Sequence, residues 1–427
     1  MAFDNELLEA AHAAWSMRSG LLTRRERFKR YTYGDQWGDI VTDNLGRAIR
    51  EGDLVAETGR QPLTNNLIRR LVKTIVGRYR NMCADTKRYA NIAAEVAALN
   101  NLAELDSRML EEFLISGMAI QRVAAETRRG RHGVWVDNVD PRRFFSNAFT
   151  DPRGTDIEMC GMLHDMSMAE VLARFGHNDR RQMQRLRNIF ASPAVPAFAL
   201  SDSSDFFTAP AGRCRVVEIW TLEVLESVRR QHADISFAWK CRWLAPTGDC
   251  LDSRFSPWKH AGHPFAVKHY PMVDGEVHPF VEDVIDQQRY INRLIVLIDK
   301  MMGASAKGVL LFPEMQKPKG VSWQDIAERW SATDGIIPIT GRTTVLPQQI
   351  SGHGNDAGAH RLLELEMKLF EDVSGVSDAL LGKSAGGNGG SALYESQITN
   401  STIALADIFE TFASFTAARD ALIAGLS

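Results

Sequence analysis

Residues 279–303 have the sequence PFVEDVIDQQRYINRLIVLIDKMMG, and the predicted architecture follows from this run. Apolar residues and two amides recur along it every three or four positions: Val281, Val284, Ile285, Gln288, Ile291, Asn292, Ile295, Ile298 and Met302. That spacing is typical of an α-helix. Pro279 suits a helix start, and Gly303 is a conventional stop. We therefore predict a helix over residues 280–302, ~34 Å long, which exceeds the usual length in globular proteins.

The segments after this helix follow an unusual order. A small insert comes first, with strands predicted at 309–312 and 336–346 around a helix at 323–330. A second helix is predicted at 359–372, then a glycine-rich segment, then a long final helix at 392–423. Two long helices that leave and re-enter a body predict a stalk, with the insert as its tip.

The first two-thirds of the chain mixes helices and strands without an internal repeat or a parallel βαβ rhythm. Helices are predicted at residues 5–29, 66–81, 93–118, 168–175 and 179–190. Strands are predicted at 134–136, 215–225 and 235–244, and residues 192–212 form a long loop. The fold class is therefore α+β and helix-rich.

Composition limits the functions that the chain could have. It contains 427 residues, with 50 basic and 53 acidic side chains and a formal net charge of −3. A protein that coats duplex DNA would normally carry a basic excess, whereas near-neutrality suits one that DNA passes through.

The most apolar run, 291–302, contains Arg293, Asp299 and Lys300, so we expect no membrane span. Acidic residues near the start argue against a signal peptide, and five scattered cysteines indicate reduced thiols in a soluble, cytosolic protein.

Six short motifs, each weak alone, occur in a family order across the chain. They are Tyr33-Gly34-Asp35-Gln36-Trp37; Asn66 with Gly77 and Arg80; Asp151-Pro152 before Met166-Ser167-Met168; Asp286-Gln287-Gln288-Arg289 with Ile291-Asn292; Gly375-Val376-Ser377 with Leu381-Gly382; and the long helix after Ser391. In this order the chain resembles the portal proteins of tailed phages, of the type found in short-tailed phages. Members often continue beyond that last helix, and this sequence ends at Ser427.

The resemblance implies a ring of about twelve subunits at one capsid vertex, through which genomic DNA is packaged and ejected. It implies a wing (residues 1–279), a stem helix (280–302), a clip (303–358), a returning stem helix (359–372), a tunnel loop (373–391) and a long helix (392–427). The implied partners are further copies of the chain, double-stranded DNA without sequence specificity, the large terminase ATPase, the major capsid protein and a head–tail adaptor. The protein would be made in the host cytoplasm and reside in the virion.

Three sets of residues carry these expectations. The tunnel-loop residues expected to line the DNA channel are Lys383, Ser384, Gly386, Gly387, Asn388, Gly389, Gly390 and Ser391. The stem residues expected at the subunit interface are Val284, Gln288, Ile291, Asn292, Ile295 and Ile298; clip residues Trp323 and Trp330 are expected to dock a partner. The alternatives are an ordinary surface linker for the loop and an ordinary core stripe for the helix. Lys383 is the single charge between residues 382 and 391, and repeated around a ring it would place weakly acting, screened cations near the duplex.

The sequence contains no complete catalytic or metal-binding motif. Gly382-Lys383-Ser384 resembles the end of a phosphate-binding P-loop, but the first glycine of that motif would fall at Ser377. His260, His263, His269 and His278 cluster without the spacing of zinc ligands. We therefore predict no catalytic residues, no metal and no cofactor. The alternatives are another ring or scaffold component of a virion, or an NTPase that uses Lys383.

Overall fold

The computed structural model describes residues 4–57, 59–84, 89, 92–128, 130–191, 205–229, 232–258, 262–305, 309–331, 337–339, 346–350, 356–376 and 403–426. Its helices and strands confirm the α+β class. The chain divides into two compact units. Unit 1 contains Met1–Tyr33, Ile68–Asp283 and Gly375–Ser427, and unit 2 contains Gly34–Leu67 and Val284–Ser374.

The helices among these residues are α1 (Asn5–Met17), α2 (Ser19–Tyr33), α3 (Glu51–Glu57), α4 (Leu67–Ala84), α5 (Ala94–Asn100), α6 (Leu102–Ser116), α7 (Met168–Phe175), α8 (Arg180–Ala191), α9 (Glu282–Ser305), α10 (Trp323–Ser331), α11 (Asp356–Ser374) and α12 (Ala406–Ala424). The strands are β1 (Ile40–Thr42), β2 (Ala48–Arg50), β3 (Met118–Arg128), β4 (Arg131–Asn138), β5 (Phe144–Ser146), β6 (Met159–Met166), β7 (Cys214–Arg229), β8 (His232–Leu244), β9 (Cys250–Phe255), β10 (Phe265–His269), β11 (Pro271–Val273), β12 (Glu276–Val277), β13 (Val309–Leu311) and β14 (Gln348–Ile350).

A five-stranded antiparallel sheet, in the order β5-β6-β7-β8-β9, forms the centre of unit 1. Successive side chains of a strand point to opposite faces, and β7 has apolar residues on both. Val217 and Ile219 pack with Leu8 of α1, while Trp220 packs on the other face with Leu186 of α8. The sheet is therefore covered by α1 on one face and by the α7–α8 pair on the other.

A second sheet of unit 1 has the order β10-β3-β4. The C-terminal helix α12 lies against β10 and β3. Its Arg419 is fully buried and donates to the equally buried Asp106 of α6 across 2.6 Å. Gln121 of β3 donates to the same carboxylate oxygen at 3.3 Å. This ion pair ties the end of the chain to α6 and to the sheet.

Unit 2 combines two segments that lie far apart in the sequence. The first contributes the β1–β2 hairpin and α3, and the second contributes α9 from Val284 onward, the β13–β14 pair, α10 and α11. A capping box begins α10, because Ser322 accepts the Asp325 N–H at 2.9 Å and donates its own N–H to that carboxylate at 2.8 Å.

Two predicted helices are each broken into two, so both predictions were wrong in this respect. Residues 5–29 form α1 and α2 with a break at Arg18, whose buried guanidinium donates to the carbonyls of Pro141 and Phe144. Residues 93–118 form α5 and α6, which are separated by Asn101 in the left-handed conformation, with φ at 47°. Gly117, with φ at 69°, ends α6, and Met118 already belongs to β3.

Several strand predictions are confirmed and one is wrong. The two strands predicted at 215–225 and 235–244 are confirmed as β7 and β8, and the short strand at 134–136 is the middle of β4. The strand predicted at 336–346 is wrong for its described residues, because 337–339 and 346 lie outside any strand. Backbone pairing instead falls on Gln348–Ile350, which lies opposite Val309–Leu311.

The helix predictions for 66–81, 168–175, 179–190, 280–302, 323–330 and 359–372 are confirmed within a few residues at each end. Of the helix predicted at 392–423, Ala406–Ala424 is helical and residues 392–402 lie outside the described residues. The five cysteines are free thiols. No described helix is both long and apolar enough to cross a membrane.

Candidate functional site: a buried polar network on the long helix

Gln288 lies on the buried face of α9 and is fully inaccessible to solvent. Its amide nitrogen donates to the Asn65 carbonyl at 2.8 Å and to Oδ1 of Asn292 at 3.1 Å. Its amide oxygen accepts the N–H of Leu67 at 2.8 Å. Gln288 thus forms hydrogen bonds both with the end of the 34–67 segment and with Asn292, one turn along α9.

Asn292 extends this network to the beginning of the same segment. Its Nδ2 donates to Oε1 of Gln36 at 2.6 Å, and its Oδ1 accepts the N–H of Asn65 at 3.2 Å. The amide nitrogen of Gln36 in turn donates to Oδ1 of Asn66 at 3.2 Å. Gln36 and Asn292 are each 1% exposed. Because buried amides without partners are costly, these bonds fix the register of α9 against both ends of the segment.

A buried carboxylate makes a second contact with α9, next to the face that carries Gln288 and Asn292. Glu51, the first residue of α3, is 3% exposed. Its Oε2 accepts from Nε and a terminal nitrogen of Arg289, at 3.0 and 2.8 Å, and its Oε1 accepts from Nε of Arg293. Arg289 and Arg293 lie one turn apart, so one acid from α3 bridges two successive turns of α9.

Local backbone geometry brings these groups together. Gly34 has φ at +105°, which only glycine adopts readily, and a side chain there would face Asn66. Trp37 is 8% exposed and donates its indole N–H to the Leu63 carbonyl at 3.2 Å. The turn at Gly34 and the anchored indole therefore direct Gln36 toward α9.

The network is suited to holding its elements in fixed positions. Its central members are neutral amides (Gln36, Asn66, Gln288 and Asn292) whose donors and acceptors face one another or the backbone. Within the described parts of the chain, no group of three or more His, Cys, Asp or Glu residues could hold a metal ion.

The predicted stem residues lie on this same helix. Five of the six are buried within the single chain, namely Val284, Gln288, Ile291, Asn292 and Ile298, and Ile295 is half-buried. The exposed apolar residues of α9 are instead Tyr290, Leu297 and Met302, with 41%, 47% and 56% of each exposed. The subunit-interface role of the six predicted residues remains a prediction.

The two predicted docking tryptophans differ in their surroundings. Trp323 is 46% exposed, packs edge-on against Phe312 and has the Lys317 ammonium 5.0 Å from its ring centroid. Trp330 is half-buried at the other end of α10. Trp323 therefore presents the more accessible aromatic surface.

The predicted channel-lining residues, Lys383, Ser384, Gly386, Gly387, Asn388, Gly389, Gly390 and Ser391, lie outside the described residues. The same holds for His260. Of the other histidines in that cluster, His269 is 7% exposed beside Phe149, while His278 lies at the surface between Glu276 and Glu282.

A buried charge cluster in unit 1 was missed by sequence reasoning. Glu218 of β7 is fully buried and accepts from Arg122 at 2.9 Å, from the Trp220 indole at 2.9 Å, and shares a 2.7 Å hydrogen bond with His164. Burial alone would raise the pKa of Glu218, but Arg122 and His164 hold it well below its usual range. The one signal was a lone acid in the apolar run of residues 216–220.

Residues from three of the six motifs, Gln36, Asn66 and the pair Gln288 and Asn292, thus meet in one buried network. The sequence model described as Phage P22-like portal protein matches residues 8–417, nearly the whole chain, which defines the class as a phage portal protein. The chain belongs to the P22-like portal protein family. This family is structural rather than enzymatic and implies a component of the virion at the capsid vertex, with a part in genome packaging. No curated protein matches the sequence.

Proposed function

We propose that this chain is one subunit of a ring, of about twelve copies, that forms the channel for packaging and ejection of phage DNA. The family match over residues 8–417 carries the proposal. The order of α9, the β13–β14 and α10 insert, and α11 supports it, since this is the order expected for a stem, a clip and a returning stem helix.

Exposed apolar side chains of unit 2 support assembly with further copies. Leu297 and Met302 of α9 and Leu365 and Leu369 of α11 are between 39% and 56% exposed. A ring uses two different complementary surfaces on each subunit, and these side chains offer apolar area for such contacts. In our proposal these side chains extend the predicted stem interface beyond Ile295 and Ile298.

Negative-stain images and sedimentation of the purified protein test the ring. We expect particles with a central hole, and a stable monomer or dimer at high concentration would contradict the proposal. Leu297→Glu/Met302→Glu should prevent ring formation while leaving the circular dichroism spectrum of the subunit unchanged. Ile40→Glu, at an exposed position on β1, is the matched control and should leave the ring intact.

The tunnel loop is proposed to be residues 373–391, with Lys383 as its cation. Lys383→Ala should change the rate at which DNA is packaged into capsids and should leave ring assembly unchanged. Lys368→Ala, at an exposed position on α11, is the control. If Lys383→Ala abolished a nucleotide hydrolysis activity of the purified protein, the chain would be an NTPase and the tunnel-loop role would be wrong.

The clip is proposed to dock the large terminase, and α10 offers Trp323 for this contact. Trp323→Ala should weaken binding of the terminase to assembled rings, because an exposed aromatic side chain supplies much of the contact energy at such surfaces. Gln324→Ala, at an exposed neighbouring position, should bind normally. Equal binding by both variants would exclude Trp323 from the contact. Docking of the head–tail adaptor and of the major capsid protein is part of the same proposal, at the clip and the wing respectively.

A further inference from the structure

Helix α8 (Arg180–Ala191) has the sequence RRQMQRLRNIFA, which contains four arginines and no carboxylate. The nearest acid along the chain, Asp179, accepts the backbone N–H of Arg181 at 2.9 Å. Such a helix in a chain with a net charge of −3 is a local concentration of positive charge.

One face of α8 is anchored to the body of unit 1. Leu186 is fully buried in the core beneath the five-stranded sheet, and Ile189 and Phe190 pack against the same cluster. Arg185 is also held, since it pairs with Asp249 at 3.3 Å. The orientation of the helix is therefore set by apolar contacts and by one of its four arginines.

The opposite face of α8 carries solvent-exposed side chains that can donate hydrogen bonds. Arg180, Arg181 and Arg187 are exposed, and within the described chain no carboxylate pairs with any of them. Gln184 and Asn188, also exposed, lie between them and are hydrogen bonded to each other at 3.2 Å. The helical repeat puts positions 180, 184, 187 and 188 on one side. We name the face formed by Arg180, Arg181, Gln184, Arg187 and Asn188 the α8 donor face.

The donor face has the dimensions and chemistry of a phosphate-binding surface. Positions 180 and 187 are ~10 Å apart along the helix axis, and over that length duplex DNA carries about six phosphates. Arginine with asparagine and glutamine is the set of side chains that usually contacts the DNA backbone. An acidic protein surface would be attracted by the charges alone, whereas the two amides add neutral donors for phosphate and sugar oxygens.

We propose that the α8 donor face binds the phosphate backbone of double-stranded DNA without sequence preference. The choice of DNA over an acidic protein rests on the proposed function, which makes this protein a handler of duplex DNA. The residues of the α8 donor face, at 180–188, are different from those of the proposed tunnel loop, at 373–391.

The test measures binding of a fluorescently labelled duplex of mixed sequence to the full-length protein at several salt concentrations. Each phosphate contact contributes about 0.9 to the slope of log Kobs against log salt. Arg180→Gln/Arg181→Gln/Arg187→Gln should therefore make the slope shallower by about 2.7. The corresponding triple lysine variant should restore it, because phosphate binding needs the charge and not the guanidinium fork.

The matched control removes three exposed arginines that already have acid partners. Arg108→Gln/Arg142→Gln/Arg153→Gln changes the net charge equally, and these side chains pair with Glu104, Asp140 and Asp151. The control variant should have the same slope of log Kobs against log salt as the unsubstituted protein. An unchanged slope in the α8 variant, or an equal loss in the control, would overturn the proposal.

Polyglutamate serves as a second probe and separates the competing partner. Loss of polyglutamate binding with unchanged DNA binding would assign the face to an acidic protein and overturn the proposal. Imaging of the same samples separates this inference from the ring. If the variant forms rings and its salt slope for DNA binding is unchanged, only the α8 proposal is contradicted. If the slope is shallower and no rings form, the α8 proposal is supported and the proposed ring is contradicted.

Discussion

The side-chain nitrogen of Asn292 donates to Oε1 of Gln36 across 2.6 Å, and this bond joins residues 256 positions apart. Both side chains are almost completely buried. Together with Gln288, Asn292 fixes the 34–67 segment against α9 through bonds that an apolar side chain could not make. In a portal subunit, α9 is the proposed stem, so this network sets where the stem begins relative to the rest of unit 2.

Asn292→Leu should destabilise the protein by about 2–4 kcal/mol, because it removes the donor to Oε1 of Gln36 and the acceptor of the Asn65 backbone N–H in a buried site. Urea unfolding followed by circular dichroism would measure the loss. Gln324→Leu, a similar change at an exposed position on α10, should alter stability by less than about 0.5 kcal/mol. Equal midpoints for the two variants would mean that the buried bonds contribute little.

A double-mutant cycle on Glu51→Gln and Arg289→Gln should give a coupling energy of about 1–3 kcal/mol. The carboxylate is nearly buried, while Arg289 retains some exposure, so the value should lie below that of a fully buried pair. The same cycle on Arg60 and Asp299, a more exposed pair at 2.8 Å, should give less than about 1 kcal/mol. If the two couplings were equal, burial of Glu51 would not strengthen its contact.

Gly161→Ala should destabilise unit 1 by about 3 kcal/mol or more. A methyl group at this position of β6 would overlap the backbone carbonyl of Glu218 and the ring of Phe145, both of which are packed on all sides. Gly20→Ala in α2 is the control, because nothing lies within 4 Å of its added carbon. That variant should be up to about 1 kcal/mol more stable, since alanine favours a helix. Thermal unfolding of both variants checks the opposite signs.

The protein should lose stability as the pH falls from about 6.5 toward 3, partly because of His269. Burial lowers the pKa of His269 to about 3, with a smaller contribution from Arg18. The unfolded chain binds a proton near pH 6.5 and the folded chain does not, so the free energy of unfolding decreases by up to about 1.4 kcal/mol per pH unit in this range.

Urea unfolding between pH 4 and 7 measures this dependence. His269→Gln should flatten the curve by about that slope, whatever its effect on stability at neutral pH. His360→Gln, at an exposed position on α11, should leave the slope unchanged. A curve of the same steepness in the His269 variant would assign the acid sensitivity to other groups, such as His263, whose pKa is lowered to about 4 by burial.

The sequence by itself determined the elements whose signals are local. The 168–175 helix was predicted with its correct ends, and in the structure Ser167 and Glu170 form a capping box at its start. The long helix α9 followed from its spacing of apolar residues, and the order of elements around it carried the family resemblance. These features depend on neighbours within a few positions, which a sequence displays directly.

Tertiary structure decided what depends on distant residues. The break at Arg18 forms because its guanidinium bonds to carbonyls at 141 and 144, and the strand β3 forms because β4 and β10 pair with it. Gln36, Asn66, Gln288 and Asn292 were recognised as motif residues, but their mutual hydrogen bonds were not predicted, and Glu51 was not singled out at all. A hydrogen bond across 256 positions leaves no periodic signal. It exists because burial removes water from these groups, so that each can be satisfied only by another part of the chain.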